Sequence, residues 1–599
     1  MAGGIVRAQP ASPAGDLASY GVKVEPDKRL IMVLATLEMA RTTGADGSPV
    51  KLINTPLSAK GADLRDRLLA DTSDLDPDLR SRISMFVDRY KKRNPGLSDA
   101  DIVSPFISMA YTLTPAPDLL DPVVTVDLPG NLLDVLDFAP LVREFYRKSR
   151  IAAKLDSYIA EYRADAAGSL VPSAKEMVSA LLDYLHTRPM LTISEKIKVE
   201  TNRTNSRNQK IQQVETREHD RHFYVVPEKL AAKGNINFLN IRDDYYVIVP
   251  PDTDLSFSEA RRAFLQFVLD PVVLTAAKEA TPMRDWARPV LDDLRKSNPS
   301  ISADAFLAIT KSMVAATDIR QTEYLKGKLA TDQARAKLAL LAKRETTLKT
   351  PDEKSKLDAE RKALTDELAK YKASLSDEAT LQLYEAYQKG AIFSLYFADQ
   401  LKGVEDSGFD VTASFKDMVS SFDATKESGR IAATADARKR AAAAREESRK
   451  HGETLAVVSE NPVTARLREI QQMIEAKQYD KANSDLKQLL GQYPAEPRIY
   501  YNIGRVASLS ALSITDADAQ AQRLLEAKTA YSNVINTAKA DTDPALLALT
   551  YVALGRIYEF DGQNDYAIKL YDKAIQIGGA GGPALQTAMD AKAKLIKPQ

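Results

Sequence analysis

The sequence predicts a mainly α-helical protein with one small antiparallel sheet and a helical repeat at its C-terminal end. Three observations predict it. Apolar residues recur at helical spacing through most of the chain, and short β-branched and aromatic runs are confined to about residues 192–250. An aromatic, Leu-Gly, Tyr and Ala pattern recurs after residue 462. At 599 residues the chain exceeds one compact core, and roughly three or four domains are expected. Lys+Arg 82 balance Asp+Glu 82, which argues against the basic footprint of a nucleic-acid binder. Cys 0 excludes disulfides, thiolate metal sites and cysteine nucleophiles without fixing the compartment, and His 4 leaves imidazole chemistry few homes. No stretch approaches the ~18–20 continuous apolar residues that span a bilayer.

Residues 1–19 read as a disordered N-terminus or the remnant of an export signal. Val6-Arg7-Ala8 before Gln9 has the small-x-small look of a signal-peptidase site, although the charged start and apolar core of a signal are absent. An export signal would place the protein in the periplasm or outside the cell; an ordinary disordered start leaves it cytoplasmic. Residues 20–425 form the next expected domain. Helices are predicted over Lys28–Arg41, Gly61–Ala70, Asp76–Arg93, Ser98–Leu113, Leu132–Ala167 and Ser173–Thr187. Pro95-Gly96, Pro115-Ala116-Pro117 and Pro129-Gly130 separate them; Ser98-Asp99-Ala100-Asp101 and Ser173-Ala174-Lys175-Glu176 read as N-caps, the second as a Ser-x-x-Glu capping box.

Ile193–Val199 alternates weakly, whereas His222–Val226, Ile236–Ile241 and Tyr245–Val249 read as strands of a small antiparallel sheet. Arg242-Asp243-Asp244 makes a tight hairpin and Pro250-Pro251 ends it. Ser256-Phe257-Ser258-Glu259 opens a helix running to Pro271. The chain is helical again from 301 to 402, and residues 321–375 form a charged helical hairpin insertion whose second helix starts at Pro351-Asp352-Glu353-Lys354. Gly403–Glu427 is a looser helical segment. Residues 426–461 are a connecting helix; acids interrupt the basic residues of Arg430–Lys450, so it reads as a solvated helix.

Candidate chemistry outside these elements is thin. Glu218-His219-Asp220-Arg221-His222 offers metal-ligand types, but on a strand His219 and His222 would point to opposite faces. His186 and His451 read as helix-end residues, Asn202–Asn208 as a polar loop, and Trp286, with Met283 and Arg288, as a packed anchor. No phosphate-cradling loop, nucleophile elbow or dinucleotide fingerprint is present.

After residue 462, Tyr551, Leu554, Gly555, Tyr558, Ala567, Tyr571 and Ala574 fall at the spacing aromatic-x2-Leu-Gly-x2-Tyr, then Ala-x3-aromatic-x2-Ala. Gly555 and Ala567 suit close approach of the two helices of a hairpin, with the aromatics and Leu554 filling the seam with the next hairpin. Tyr500, Ile503 and Gly504 begin an equivalent repeat, completed by Ala527, Tyr531 and Val534 after a long loop around Ser513–Ala519. Ala482, Leu486, Leu489 and Pro494 end a degenerate one, and Pro583–Ile596 is the expected cap helix. Residues 462–599 thus resemble the tetratricopeptide repeat family. The resemblance implies an αα-solenoid that binds a protein or peptide on its concave face, with Asn502, Arg505 and Arg556 as contributors and Tyr500 and Tyr551 partly in the core. The alternative is a purely structural stack.

The order helical lobe, short sheet, amphipathic helix makes residues 20–425 similar to zincin-type metallopeptidases. Arg261–Pro271 resembles the site helix of the gluzincin-like peptidases found joined to tetratricopeptide repeats in bacterial exported proteins. That family's His-Glu-x-x-His grips Zn²⁺ with two imidazoles one turn apart and uses the Glu as base. Here Arg262, Ala263 and Gln266 occupy those positions, so the resemblance implies a degenerate, pseudoenzyme domain with no metal and no cofactor. Otherwise the helix is a core element of an α-rich domain. Together these readings describe a non-catalytic interaction or scaffold protein that binds a protein partner, with oligomers possible and neither nucleic acid nor a transmembrane segment involved. The alternatives are a hydrolase with an unrecognised site, and a self-assembling structural protein whose charged helices from Gln321 to Lys372 pair between copies.

Overall fold

The computed structural model describes residues 17–44, 46, 48–122, 130–204, 210–345, 350–450, 462–493, 496–538, 544–578 and 583–596. Val6-Arg7-Ala8, His451, Pro494 and part of the Asn202–Asn208 loop lie outside them. The chain is mainly helical, with one small mixed sheet and two small antiparallel ones. It divides into two compact units, one of Gly21–Val178 and Pro189–Pro271, the other mainly of Ser179–Arg188 and Val272–Gln599. No described helix is long and apolar enough to cross a membrane.

The first unit opens with β1 (Val22–Val24), α1 (Lys28–Leu37) and an antiparallel pair, β2 (Arg41–Thr43) and β3 (Pro49–Lys51). There follow α2 (Ala59–Asp71), α3 (Pro77–Arg93), α4 (Asp99–Thr112), α5 (Gly130–Leu136), α6 (Ala139–Lys148), α7 (Leu155–Gly168) and α8 (Leu170–Leu185). Every residue of α1 from Leu30 to Leu37 is buried, as a helix apolar on all sides must be, and α3, α4 and α6 pack around it. The long helix expected over Leu132–Ala167 is instead broken into α5, α6 and α7. Pro140, which lacks an N–H, starts α6 afresh, and Arg150 at φ 57 turns the chain before α7. Ser98 caps α4 as expected, and Asp101 completes a capping box there, which the sequence predicts at Ser173 instead. Ser173 does not cap: it lies inside α8, where its Oγ accepts from Leu255 N–H (2.7 Å) and donates to Asp254 (3.1 Å).

β4 (Thr192–Thr204) and β5 (Lys210–Asp220) pair antiparallel into a separate ribbon. It takes in Asn202 to Thr204, read from polarity as loop, because a ladder of backbone bonds needs no apolar side chains. β6 (Phe223–Pro227), β7 (Asn237–Ile241) and β8 (Asp244–Val249) join β1 in the order β1-β6-β8-β7. The β7–β8 hairpin is antiparallel, with Arg242 at φ 58 in its two-residue turn, but β1, β6 and β8 run parallel, so the sheet is mixed. Both faces are covered, which is why its central strands are nearly continuously apolar. Val226 and Ile248 face the α1 core, while Phe223 and Tyr245 meet Phe264 and Phe267 of α9 (Ala260–Thr275).

The second unit continues through α10 (Thr281–Ser297), α11 (Ala305–Glu345), α12 (Pro351–Gln388), α13 (Ser394–Ser407), α14 (Val411–Ser420), α15 (Ala424–Ala433) and α16 (Ala435–Lys450). Thr350 and Glu353 cap α12 reciprocally, and Trp286 of α10 packs against Phe393 and Phe422 at ring distances of 5.4 and 5.9 Å. The expected solvated connector is two helices, and α16 docks on α12. Arg440 grips Asp377 through two 2.7 Å bonds, Arg445 bridges Glu378 and Glu385, and Ala441 is buried. Three hairpins and a last helix complete the unit. They are α17 (Pro462–Glu475) with α18 (Tyr479–Gln492), α19 (Pro497–Ala511) with α20 (Ala517–Thr537), α21 (Pro544–Phe560) with α22 (Asn564–Gln576), and α23 (Pro583–Ile596). Each helix packs on the next, and α19, α21 and α23 also pack directly on one another in turn.

Candidate functional site

On α9 the helical period sets Arg262 and Gln266 one turn apart. Arg262 is exposed, while Ala263 and Gln266 are half-buried. Gln266 Nε2 donates to Asp270 (3.3 Å), and the Tyr245 hydroxyl donates to the same carboxylate. Burial holds the Asp270 carboxyl above its ordinary range. Beneath them lies Arg221, a fully buried side chain. It donates to Met190 O (2.9 Å) and Phe267 O (2.8 Å) and stacks on the Phe267 ring, 4.5 Å from its centroid.

The Phe267 contact explains why α9 does not stop at Pro271, as the sequence suggests, but runs on to Thr275. Proline has no N–H for the carbonyl four residues earlier, which is that of Phe267, and Arg221 supplies the missing donor. A zinc ion does not fit Arg262, Ala263 and Gln266: a guanidinium repels it, a methyl offers no lone pair, and the amide is engaged with Asp270. Among the described residues no group of three His, Cys, Asp or Glu is placed to hold a metal. His219 sits in β5, whereas His222 precedes β6 and holds Asp244 through its backbone N–H (2.9 Å) and Nδ1 (3.1 Å).

A second polar cluster in this unit went unread in the sequence. Lys229 is 1% exposed, with its ammonium on Glu161 and on Asp165 (2.7 Å). Arg67 grips Glu161 bidentately at 2.8 and 2.9 Å, and Lys60 holds Asp165 at 2.5 Å. Chiefly through the Arg67 bonds, Glu161 is pulled down to about 2. The adjacent Glu228 is 0% exposed. One of its oxygens accepts from the Tyr162 hydroxyl (2.8 Å) and Leu230 N–H (2.9 Å), and the other has no partner.

Burial pushes Glu228 up from its ordinary 4.5 to about 7. The folded state therefore holds this proton more tightly than the unfolded chain does. The resulting stability is complete below pH ~4.5 and is lost as pH rises through about 7, a change of about 3 kcal/mol. We expect Glu228→Gln to remove that dependence. Urea midpoints for the two proteins should diverge between pH 5 and pH 8, and parallel curves would contradict the assignment.

In the C-terminal stack the glycines mark close approach of paired helices as expected, but Tyr531 and Tyr571, expected in the seam with the next hairpin, pack on the glycine of their own hairpin, where the missing side chain leaves room. A Cβ on Gly504 would lie 2.7 Å from Tyr531 Cε1, and one on Gly555 would lie 2.6 Å from Tyr571 Cε1. Ala527, Ala567 and Ala574 are fully buried beside them. Of the residues singled out for partner contact, Asn502 is half-buried and turned onto Arg498 O (2.9 Å), and Arg505 reaches from α19 to Gln471 of α17 (2.5 Å). Both are spent on internal contacts. Tyr500 and Tyr551 are half-buried, and Lys573 sits 5.5 Å from the Tyr551 ring.

Arg556 is exposed, in a surface depression between α21 and α23 lined by Glu559, Phe560, Thr587, Asp590, Ala591 and Lys594. The two acids already accept hydrogen bonds, Glu559 from Tyr571 (2.7 Å) and Asp590 from Gln586 (2.8 Å). Phe560, one turn beyond Arg556, is 61% exposed and was not singled out from the sequence; its position on the same helix face as Arg556 was the available signal. Comparison with protein-family models, curated proteins and solved structures returned no match.

Proposed function

We propose that the chain is a non-catalytic interaction or scaffold protein that holds a protein partner on the first-helix side of its C-terminal hairpins, which are tetratricopeptide-like. One observation carries the reading: Phe560 is 61% exposed beside Arg556 in a depression between two helices that pack directly on each other. An exposed aromatic next to a cation is the composition of an interface anchor, since the ring offers apolar area and the guanidinium orients an acceptor. The first unit is, in this reading, a metallopeptidase-like domain without its ligands. Arg262, Ala263 and Gln266 offer neither the two imidazoles nor the carboxylate base of a zinc site, and Arg221 and Asp270 are tied to structure.

A photo-crosslinking side chain placed at Phe560 of the full chain should trap discrete protein species in a native extract. The same group at Leu525, 62% exposed on the second helix of its hairpin, should not. Identical adducts from both positions would refute the proposal.

A further inference from the structure

α11 and α12 lie far in sequence from the hairpin stack. These helices are 41 and 38 residues long and run as a pair. Toward the tip they are zipped: Ala334 and Leu357 are buried, and Arg361 pairs with Glu345 at 2.7 Å. Near the base, Ala379 and Leu383 of α12 are buried again. Between these points the pair opens into a groove of about 440 Å³, walled by Tyr324, Gly327, Lys328 and Thr331 of α11 and by Lys372 and Leu375 of α12.

Three features distinguish the groove. Gly327 stands in the interior of α11, where glycine weakens a helix, yet beyond its own helical turn no described residue comes within 4 Å of where its Cβ would be. Among the described residues its missing side chain makes room for no neighbour. Tyr324, which lines the groove, is 40% exposed; Leu325 and Leu329 on α11 and Tyr371 on α12 do not line it but are 41% to 44% exposed on the same charged hairpin. The charges are also uneven. Arg320 is saturated by Glu323 and Glu405 at 2.5 Å each, and Arg335 pairs with Asp332 at 3.1 Å. Lys328 and Lys372, one on each wall, pair with no acid among the described residues.

We propose that this groove receives an amphipathic helix of a partner protein, its apolar stripe seated over Gly327 between Tyr324 and Leu375 and its flanking carboxylates paired with Lys328 and Lys372. A cleft between two parallel-lying helices fits a third by ridges into grooves, and a glycine on its floor lets the incoming backbone approach closely. Two unpaired ammonium groups, one on each wall, select an acidic helix over a neutral or basic one. This surface is independent of the one around Phe560.

The test uses the full chain and a fluorescent synthetic helix of about 18 residues, with leucine at i, i+3, i+4 and i+7 and glutamate on the flanks. Its twin carries lysine in place of glutamate. The acidic peptide should bind and the basic one should bind at least about tenfold more weakly. Lys328→Glu combined with Lys372→Glu should weaken the acidic peptide by about tenfold or more, and Gly327→Leu, which fills the floor, should do the same. Because leucine favours a helix over glycine, Gly327→Leu should melt no lower than the parent, so lost binding would not reflect lost folding. Phe560→Ala should bind the peptide like the parent, which separates this result from the fate of the proposed function. Absent binding, equal binding of the two peptides, or unchanged affinity in both variants would overturn the proposal. So would a concentration-dependent dimer of the chain alone that the double charge reversal abolishes, since the occupant would then be a second copy.

Discussion

Arg221→Met is expected to cost the first unit about 3–5 kcal/mol, read as a fall in its urea unfolding midpoint. Methionine keeps most of the volume, so the loss isolates the donors. Arg221 is fully buried and serves Met190 O at 2.9 Å and Phe267 O at 2.8 Å, and its charge offsets Asp270. Without it two carbonyls lose a donor and the half-buried Asp270 loses a nearby positive charge, and a buried acceptor left unmade is worth more than an average hydrogen bond. The effect has a location too. Phe267 O is the carbonyl that Pro271 leaves open, so α9 should fray beyond Pro271, and amides of Val272 to Thr275 should exchange faster with solvent. Arg262→Met, on the exposed face of the same helix, should stay within about 0.5 kcal/mol of the parent. If the two variants behave alike, the buried guanidinium does not have the role assigned to it.

The second large effect is expected at Gly555→Leu. Even a single Cβ there would lie 2.6 Å from Tyr571 Cε1 and 3.0 Å from Cδ1 and Cζ. Tyr571 cannot swing aside, because it is 0% exposed and its hydroxyl is held by Glu559 at 2.7 Å. The helices of the last hairpin must separate, at a cost of about 3 kcal/mol. Limited proteolysis should then cut within α21 to α23 under conditions that leave the parent intact. Gly491→Leu is the control: it lies in α18 with nothing within 4 Å, so the added side chain enters solvent and improves helix propensity. Equal resistance of the two variants would mean that the glycine–tyrosine contact is not what closes the hairpin.

Local chemistry was legible where neighbours in sequence are also neighbours in space. The N-cap at Ser98, the start of α12 at Pro351, and the hairpin turn beginning at Arg242 all depend on atoms a few residues apart. The glycines of the C-terminal hairpins were legible for a related reason, since a repeat writes the same close approach more than once; which partner fills it was not, because Tyr531 and Tyr571 lie on Gly504 and Gly555 within a hairpin and not in the seam with the next. Candidate contact residues were harder. Arg556 could be placed on an outer helix face by period alone, but Asn502 and Arg505 share that reasoning and are turned inward onto Arg498 and Gln471.

The charged residues of the first unit show where that reading ends. In sequence, Arg221 belongs to a run of five polar residues and Glu228-Lys229 follows a proline, and each looks like surface. Both are buried because distant segments supply their partners: Phe267 lies 46 positions away from Arg221, and Glu161 lies 68 away from Lys229. Ser173 has the spacing of a capping box yet serves Leu255 from within α8, since whether a helix begins at a given serine depends on what packs against the residues before it. The direction of β1, β6 and β8 likewise has no local signature, because parallel pairing is decided by the path of the intervening chain. Sequence by itself determined that most of the chain is helical, that β6, β7 and β8 are strands, that Ser98 caps α4, and where the glycines of the C-terminal hairpins let helices approach, all from interactions of short range. Tertiary structure decided which charges are buried, how far α9 runs past its proline, and which side chains are left for a partner. A buried ion is tolerable only when its counter-charge arrives from elsewhere in the fold.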